Sequence, residues 1–352
     1  MIERLELKNF TVFTGLALDF SPKINVIIGE NGTGKTQLLK AAYGLCAGAP
    51  LFKNKPDTSG DELEATLTAK LLRLFMPLDD KLGKMHRQGA TDQAYLSARF
   101  AQGQKISATF FNNSKALAIQ DRANYEQYLA EAVFIPTKEV LSFMKGFNSL
   151  YEKYGLSFDQ AYQDICLLLD LPEVRPEILH EKSKWAMAEI EGICDGRFVF
   201  YGGGKVTFKT ENAEYSANSM AEGFRKAGML SRLLETGAIQ PGVSGPLFWD
   251  EPESNLNPKL MKLLVQILLE LSRNGQQIIL ATHDYVLLKW FDLLMDKGKD
   301  DHVRYHVLFK GSDGIESDSA DSYQELNVNS IVETFGDLYD KEVERALGRP
   351  GA

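Results

Sequence analysis

Eight consecutive residues, Gly29-Glu30-Asn31-Gly32-Thr33-Gly34-Lys35-Thr36, meet the spacing G-x-x-x-x-G-K-[ST] at every fixed position. Glycines so placed let a loop curl until its backbone N–H groups converge, and converging N–H groups bind phosphate oxygens. Gly29, Asn31, Gly32, Thr33 and Gly34 would form that cradle. Lys35, Thr36 and Gln37 would open a helix whose N-terminal end adds favourable partial charge. The Lys35 amine would reach the β- and γ-phosphates of ATP, and the Thr36 hydroxyl would bind Mg²⁺. A second concentration of chemistry lies at Leu247-Phe248-Trp249-Asp250-Glu251-Pro252-Glu253. An apolar run that ends in adjacent carboxylates carries a desolvation cost unless the charges have a task or a partner. Asp250 would hold the Mg²⁺ shell opposite Thr36, and Glu251 would polarise or deprotonate an attacking water.

These residues need particular elements around them. A short apolar run (Ile24, Val26, Ile27, Ile28) should be the strand that feeds the loop, and Gln37 to Leu45 the helix that leaves it. Before it, Leu5 and Leu7, then Leu16, Leu18 and Phe20, alternate as two strands. After a polar linker from Lys53 to Gly60, the spacing of Leu63, Leu67, Leu71, Leu74 and Phe75 predicts an amphipathic helix. Leu96, Ala98 and Phe100 face Ile106, Ala108 and Phe110 across Gln102-Gly103 as a hairpin, which reads as a small inserted β arm. Ala132 to Ile135 is a short strand stopped by Pro136, and Ser157-Phe158-Asp159-Gln160 reads as a capping box opening a helix. Gly202-Gly203-Gly204 separates Phe198–Tyr201 from Val206–Phe208 as a hairpin turn. Helices are predicted over Glu222 to Leu234 and behind Asn257-Pro258, strands at 247–249 and 278–281, a hairpin over 303–315, and a last amphipathic helix with Ile331, Phe335, Leu338, Val343 and Leu347. Three units follow: a core from residues 1–50 and 219–352, a β-arm and helix insertion over 51–135, and a helical lobe with a β-hairpin over 136–218.

Composition narrows the setting. The chain has 352 residues with 44% hydrophobic and 25% charged content, ordinary for a globular protein. Its net charge of −9 argues against coating nucleic acid by bulk electrostatics and leaves room for a local basic groove. Cys46, Cys166 and Cys194 are odd in number and widely spaced, which predicts reduced, buried thiols in the cytoplasm and no zinc site. No apolar run reaches the roughly 20 residues that span a bilayer, and the first residues lack the layout of a signal peptide. No membrane association is expected.

With both motifs in view, a resemblance becomes specific. Asp250-Glu251-Pro252-Glu253-Ser254-Asn255-Leu256-Asn257-Pro258 resembles the Walker B and D-loop block of ABC-type ATPases, and Thr282-His283-Asp284 resembles their switch histidine. The opening Leu5-Glu6-Leu7-Lys8-Asn9-Phe10 and the run from Lys23 to Thr36 resemble the RecF/SMC-like branch. More narrowly they resemble the stand-alone AAA-family ATPases related to the OLD and Septu defence proteins, as does Phe134-Ile135-Pro136-Thr137-Lys138-Glu139. The resemblance implies an α/β P-loop NTPase of the ABC-ATPase head type with a mixed sheet. It assigns catalytic roles to Lys35, Glu251 and His283, the last touching the γ-phosphate. It also implies a signature loop that completes the site of a partner subunit. Ser219-Met220-Ala221-Glu222-Gly223 is similar to that loop, with Met220 for leucine and Ala221 where serine is expected. Ser219, Glu222 and Gly223 would then contact nucleotide, although Ser219 and Glu222 also fit an ordinary capping box. The family's Mg²⁺-sensing glutamine is not evident, and Phe10 or Phe13 could stack on adenine or be core.

The resemblance further implies a homodimer or higher homo-oligomer that closes head to head on ATP, with hydrolysis reopening it. DNA is the expected thing sensed, in repair or antiviral defence. The stretch after His283 is short for a nuclease domain and shows no acidic metal cluster, so a nuclease or toxin effector is expected on a separate polypeptide. The alternative is the ATP-driving subunit of a membrane transporter, which shares the nucleotide core but usually has a clean L-S-G-G-Q. A small-molecule P-loop kinase explains Gly29 to Thr36 but not the order of Asp250, Glu251 and His283.

Overall fold

A computed structural model describes residues 1–53, 60–328 and 330–347. The chain begins with antiparallel β1 (Ile2–Phe10) and β2 (Phe13–Asp19), followed by β3 (Ile24–Gly29) and the loop into α1 (Lys35–Lys53). Most of the expected polar linker lies outside the described residues. Next come α2 (Gly60–Phe75), β4 (Ala94–Phe100), β5 (Lys105–Phe110), β6 (Ala118–Asp121) and β7 (Val133–Ile135). The middle of the chain holds α3 (Phe147–Tyr154), α4 (Gln160–Leu169), α5 (Glu181–Cys194), β8 (Arg197–Phe200), β9 (Val206–Lys209) and β10 (Glu214–Ser216). The last third runs α6 (Glu222–Glu235), β11 (Leu247–Asp250), α7 (Pro258–Arg273), β12 (Ile278–Thr282), α8 (Tyr285–Leu294), β13 (Val303–Lys310), β14 (Ile315–Ala320) and α9 (Ser330–Ala346).

Six strands form one sheet in the order β14-β13-β3-β12-β11-β7, parallel except for the β13–β14 hairpin. Its central strands are mostly apolar because both faces are covered, with Asn25 of β3 a buried polar exception. Ile24, Val26, Ile28, Leu247, Trp249, Ile278 and Leu280 face a core shared with the helices of the middle and last thirds. The alternate positions Ile27, Phe248, Ile279 and Ala281 face a second core built on α1. That second core is closed by α2 and by a five-stranded antiparallel sheet of order β2-β1-β4-β5-β6. Gly44 and Gly48 let α2 approach α1 closely, since a Cβ at either position would stand 2.9 Å from Leu71 or 2.3 Å from Leu67.

Two expectations are corrected. The β arm does not stand apart: β4 pairs with β1 through Leu5↔Ala98 and Leu7↔Leu96, so β4 to β6 extend the N-terminal sheet, while β7 joins the six-stranded one. The strands within 51–135 are therefore members of the two sheets, and α2 packs beside α1. Its apolar residues alternate because one face is covered by α1 and α2. The cap of α4 is Asp159, not Ser157, and the helix starts at Gln160. The Asp159 carboxylate accepts from the Ala161 N–H at 2.9 Å and pairs with the Lys40 ammonium at 2.8 Å, a double role that a serine hydroxyl cannot fill. Asp164 on α4 likewise accepts from Tyr43 of α1 and Lys70 of α2, so α4 is fastened to the helix that follows the glycine-rich loop. The hairpin at Gly202-Gly203-Gly204 is present, and all three glycines have positive φ.

Candidate functional site

The glycine-rich loop joins the C-terminal end of β3 to the first turn of α1. Gly34 has φ +92°, and a Cβ there would meet Val12 Cγ2 at 2.7 Å and Phe13 Cζ at 2.8 Å. The loop thus has both a backbone and a steric need for glycine at this position. The Lys35 Nζ donates to the Gly29 carbonyl at 2.6 Å and the Glu30 carbonyl at 3.1 Å, which places its ammonium over the curl of the loop. Burial pulls the Lys35 pKa below the ordinary lysine value, opposed by the charges of Glu251, Asp250 and Glu253. The Thr33 hydroxyl donates to the Glu30 carbonyl at 2.9 Å, while Asn31, Gly32 and Thr36 are exposed. The Gln37 Oε1 is buried without a partner.

Parallel pairing of β3, β12 and β11 brings the second motif to the same end of the sheet. The Thr36 hydroxyl donates to Asp250 Oδ2 at 2.8 Å across 214 residues of sequence. The Thr137 hydroxyl donates to the same oxygen at 3.1 Å. Asp250 Oδ1 is buried with no partner, and burial pushes the Asp250 carboxyl above its usual range. A hard divalent cation takes oxygen ligands such as a carboxylate, a hydroxyl and waters. The orphaned Oδ1 beside the Thr36 hydroxyl fits that demand, so Mg²⁺ suits these residues.

Glu251 follows with φ +49°, a left-handed conformation unusual for a residue with a side chain. It turns the carboxylate toward His283, whose Nδ1 lies 3.3 Å from Glu251 Oε1. The Glu251 carbonyl accepts from Lys226 Nζ at 2.9 Å and from the Ser254 hydroxyl at 3.0 Å, and Lys226 also donates to Ser254. Glu253, with burial raising its pKa, accepts from the Thr282 hydroxyl at 2.7 Å and the His283 N–H at 3.3 Å. Glu253 therefore fixes the segment that carries His283. In sum, Lys35, Thr36, Asp250, Glu251 and His283 share one end of one sheet.

Ser219, Glu222 and Gly223 make no hydrogen bond to that group. Ser219 lies exposed in a 3₁₀ turn over Ala217–Ser219, and the N-cap of α6 is Ala221 with no side-chain cap, so the Ser219–Glu222 capping box is absent. Gly223 packs on the segment after Glu253: a Cβ there would stand 2.6 Å from the Asn255 carbonyl. Phe10 and Phe13 are fully buried core residues and cannot stack on a purine.

Thr137, Lys226 and Glu253 escaped the sequence reading. Thr137 stands on the segment after β7, in the run Pro136-Thr137-Lys138. Two residues on, the buried Glu139 carboxylate accepts from Arg225 Nε at 2.7 Å. The Phe134–Glu139 run was the available signal, and its meaning lay in which carboxylate the threonine reaches.

Known proteins resemble this chain in fold and, over part of its length, in sequence. The description "AAA domain" matches residues 4–127, and "AAA domain, putative AbiEii toxin, Type IV TA system" matches residues 207–289. The head domain of an SMC protein bound to the C-winged helix domain of ScpA superposes with a TM-score of 0.56 at 13% identity, covering 92% of this chain and 98% of that one. The SMC head domain from Thermotoga maritima gives 0.51 at 13% identity, with 91% and 98% coverage. The fold is that of an ABC-type ATPase head of the RecF/SMC-like branch. In sequence, this head is 29% identical over 189 residues to "DNA replication and repair protein RecF" of Ligilactobacillus salivarius, covering 52% of this chain and 42% of that protein. It is 52% identical over 62 residues to the protein of that description from Lysinibacillus sphaericus, covering 18% and 16%. The chain thus spans less than half the length of these curated relatives. Among the described residues, no helix is long and apolar enough to cross a membrane.

Proposed function

We propose that this ATPase head binds Mg·ATP and hydrolyses it as a conformational switch, closing head to head with a second copy. The observation that carries the reading is the shared Asp250 carboxylate. One oxygen is held by Thr36 and Thr137, and the other is buried and unpartnered beside the Lys35 loop. Lys35, Thr36 and the loop residues Gly29, Asn31, Gly32, Thr33, Gly34 and Gln37 hold the triphosphate. Mg²⁺, when bound at Thr36 and Asp250, would neutralise charge on the β- and γ-phosphates. Glu251 orients the attacking water and accepts its proton, and His283 holds the Glu251 carboxylate while facing the γ-phosphate. Catalysis is positioning and charge stabilisation in a preformed site. The exposed segment Ser219–Gly223 at the start of α6 completes the partner's site. The output is a shape change acting on something else. The RecF descriptions of the relatives support DNA as that thing, in repair or defence, with a nuclease or toxin effector on a separate chain in the cytoplasm.

Two variants test this. Lys35→Ala should abolish ATP binding in calorimetry, because the central phosphate contact is gone. Glu251→Gln should retain ATP and accumulate dimers. Unchanged ATP affinity in the first, or monomers only by light scattering with ATP and Mg²⁺ in the second, would reject the reading.

A further inference from the structure

The last helix is unlike the others. Within α9 no residue is buried, although its apolar side chains fall at helical spacing. Ile331 and Val332, at its start, pack against the core that covers the six-stranded sheet. Phe335 stacks on Tyr285 of α8 with ring centroids 4.3 Å apart and planes 17° apart. From there the stripe runs off the body of the protein. Phe335, Leu338, Tyr339, Val343 and Leu347 are all exposed, with Tyr339 at 66% and Leu347 at 67%. Positions 335, 338, 339, 342, 343 and 346 lie on one side by i,i+3 and i,i+4 spacing. Such a face needs a partner, because an isolated helix of this length is marginal in water and gains its stability from packing.

The charge of α9 says what kind of partner. Glu333, Asp337, Asp340, Glu342 and Glu344 oppose only Lys341 and Arg345, a net of −3. Glu342 stands within the apolar stripe, one turn beyond Leu338 and Tyr339, and makes no ion pair among the described residues. Two copies of α9 laid together would set −3 against −3. An anionic lipid surface is repelled for the same reason. We propose that α9 is the docking face for a basic amphipathic helix of another protein, whose apolar stripe covers Phe335, Leu338, Tyr339, Val343 and Leu347 and whose lysines or arginines meet Glu342 and the acidic flank. The Tyr285–Phe335 stack joins this face to α8, whose cap Asp284 adjoins His283, so the docked helix lies one packed contact from the nucleotide end of the sheet. The docking itself does not depend on the ATPase reading, since it is scored without nucleotide.

The test uses the full chain and two fluorescent 21-residue peptides with the same leucine stripe, one with lysine and one with glutamate at the polar positions. Anisotropy should show the lysine peptide binding at least tenfold more tightly than the glutamate peptide. The double variant Leu338→Asp/Leu347→Asp should lose that binding by at least tenfold, with unchanged circular dichroism and ATP affinity. Because this variant is more acidic, lysine-peptide binding that persists in it would expose mere charge attraction and overturn the proposal. Equal binding of both peptides, or a dimer in sedimentation without ATP that the double variant abolishes, would also overturn it, the latter by making a second copy the occupant. Binding to phosphatidylserine vesicles that the double variant abolishes would replace the protein partner with a membrane. Loss of Lys35→Ala's expected phenotype would leave the peptide result standing, so the two readings fail separately.

Discussion

Lys226 is a buried cation on α6, and its removal separates folding from catalysis. Its ammonium donates to the Glu251 carbonyl at 2.9 Å and to the Ser254 hydroxyl, and only 1% of the residue is exposed. In Lys226→Met the long apolar stem is kept and the charge is lost. Hydrogen bonds from a charged donor contribute about 1.5–3 kcal/mol each in mutational series. Against that, burial disfavours the ammonium and lowers its pKa, and methionine escapes the cost of several kcal/mol for a desolvated ion. The two nearly cancel, so the unfolding free energy should move by no more than about 1 kcal/mol. Geometry does not cancel. Glu251 sits at φ +49°, which costs a residue with a Cβ about 1–2 kcal/mol, and Lys226 is the buried charge that grips its carbonyl. If about 2 kcal/mol of that restraint is lost from the aligned carboxylate, turnover falls roughly 30-fold. Phosphate release should therefore drop about 30-fold, while calorimetric ATP affinity stays within about threefold, because Lys226 does not touch the Lys35 loop. Wild-type turnover, or affinity falling in step with turnover, would refute the argument that Lys226 acts by positioning Glu251.

Two further perturbations follow from local geometry. Gly32→Ala meets only the cost of a positive φ, about 1–2 kcal/mol, because nothing lies within 4 Å of its Cβ position; Gly34→Ala adds an overpacking cost of about 1–3 kcal/mol against Val12 and Phe13. Equal destabilisation of the two in urea unfolding would show that the loop is not seated on Val12 and Phe13 at the β1–β2 turn. His306 of β13 is buried between Ser319 and Asn25, and burial pushes its pKa down to about 3 from 6.5. A depressed pKa gives stability that is complete above about pH 6.5 and lost as pH falls toward 3, so the fold should lose roughly 2 kcal/mol from this residue between pH 7 and pH 5. His306→Gln should flatten that slope, and an unchanged slope would place the acid sensitivity elsewhere.

What could be read from the sequence follows how local each signal is. The phosphate loop was legible because its eight residues act on their own backbone. The apolar runs at Ile24, Val26, Ile27 and Ile28, at 247–249 and at 278–281 announced strands buried on both faces, which β3, β11 and β12 are. Alternation at 96–100 and 106–110 identified two strands but not their neighbour, since β1 lies some 90 residues away and nothing in the pleat names a partner. Hence the arm that proved to be a continuation of the sheet. Thr137 was invisible for a related reason. A lone hydroxyl 113 residues from Asp250 carries no pattern, and only the pairing of β7 with β11 sets it beside that carboxylate. Lys226 carries no local signal within the predicted helix, because the partner of its head group is the Glu251 carbonyl, 25 residues away. Ser157 lost the cap to Asp159 because Lys40 rewards a carboxylate there, a contact between helices that no local rule contains.

The departure from the signature pattern at Ala221 can be turned into a test of the closed dimer. Ala221 is the N-cap of α6, is exposed, and offers no acceptor to the free N–H groups of the first turn. Both Ala221→Ser and Ala221→Asp would supply one, and each should stabilise the fold by about 1 kcal/mol. Gly223 is less informative, since any side chain there strikes the Asn255 carbonyl at 2.6 Å before a second subunit is involved. In the proposed dimer the start of α6 faces the γ-phosphate of the other copy, and there the two caps part. The serine hydroxyl can donate to a phosphate oxygen, whereas the aspartate adds a negative charge beside several others. In the Glu251→Gln background, Ala221→Ser should therefore tighten ATP-linked dimerisation and Ala221→Asp should weaken it at least tenfold, although both raise the unfolding midpoint. Sedimentation with ATP and Mg²⁺, set beside urea unfolding of the same proteins, measures both. If the two variants dimerise alike, α6 is capped at a surface that no phosphate approaches, and the head-to-head arrangement falls while the Asp250 site stands.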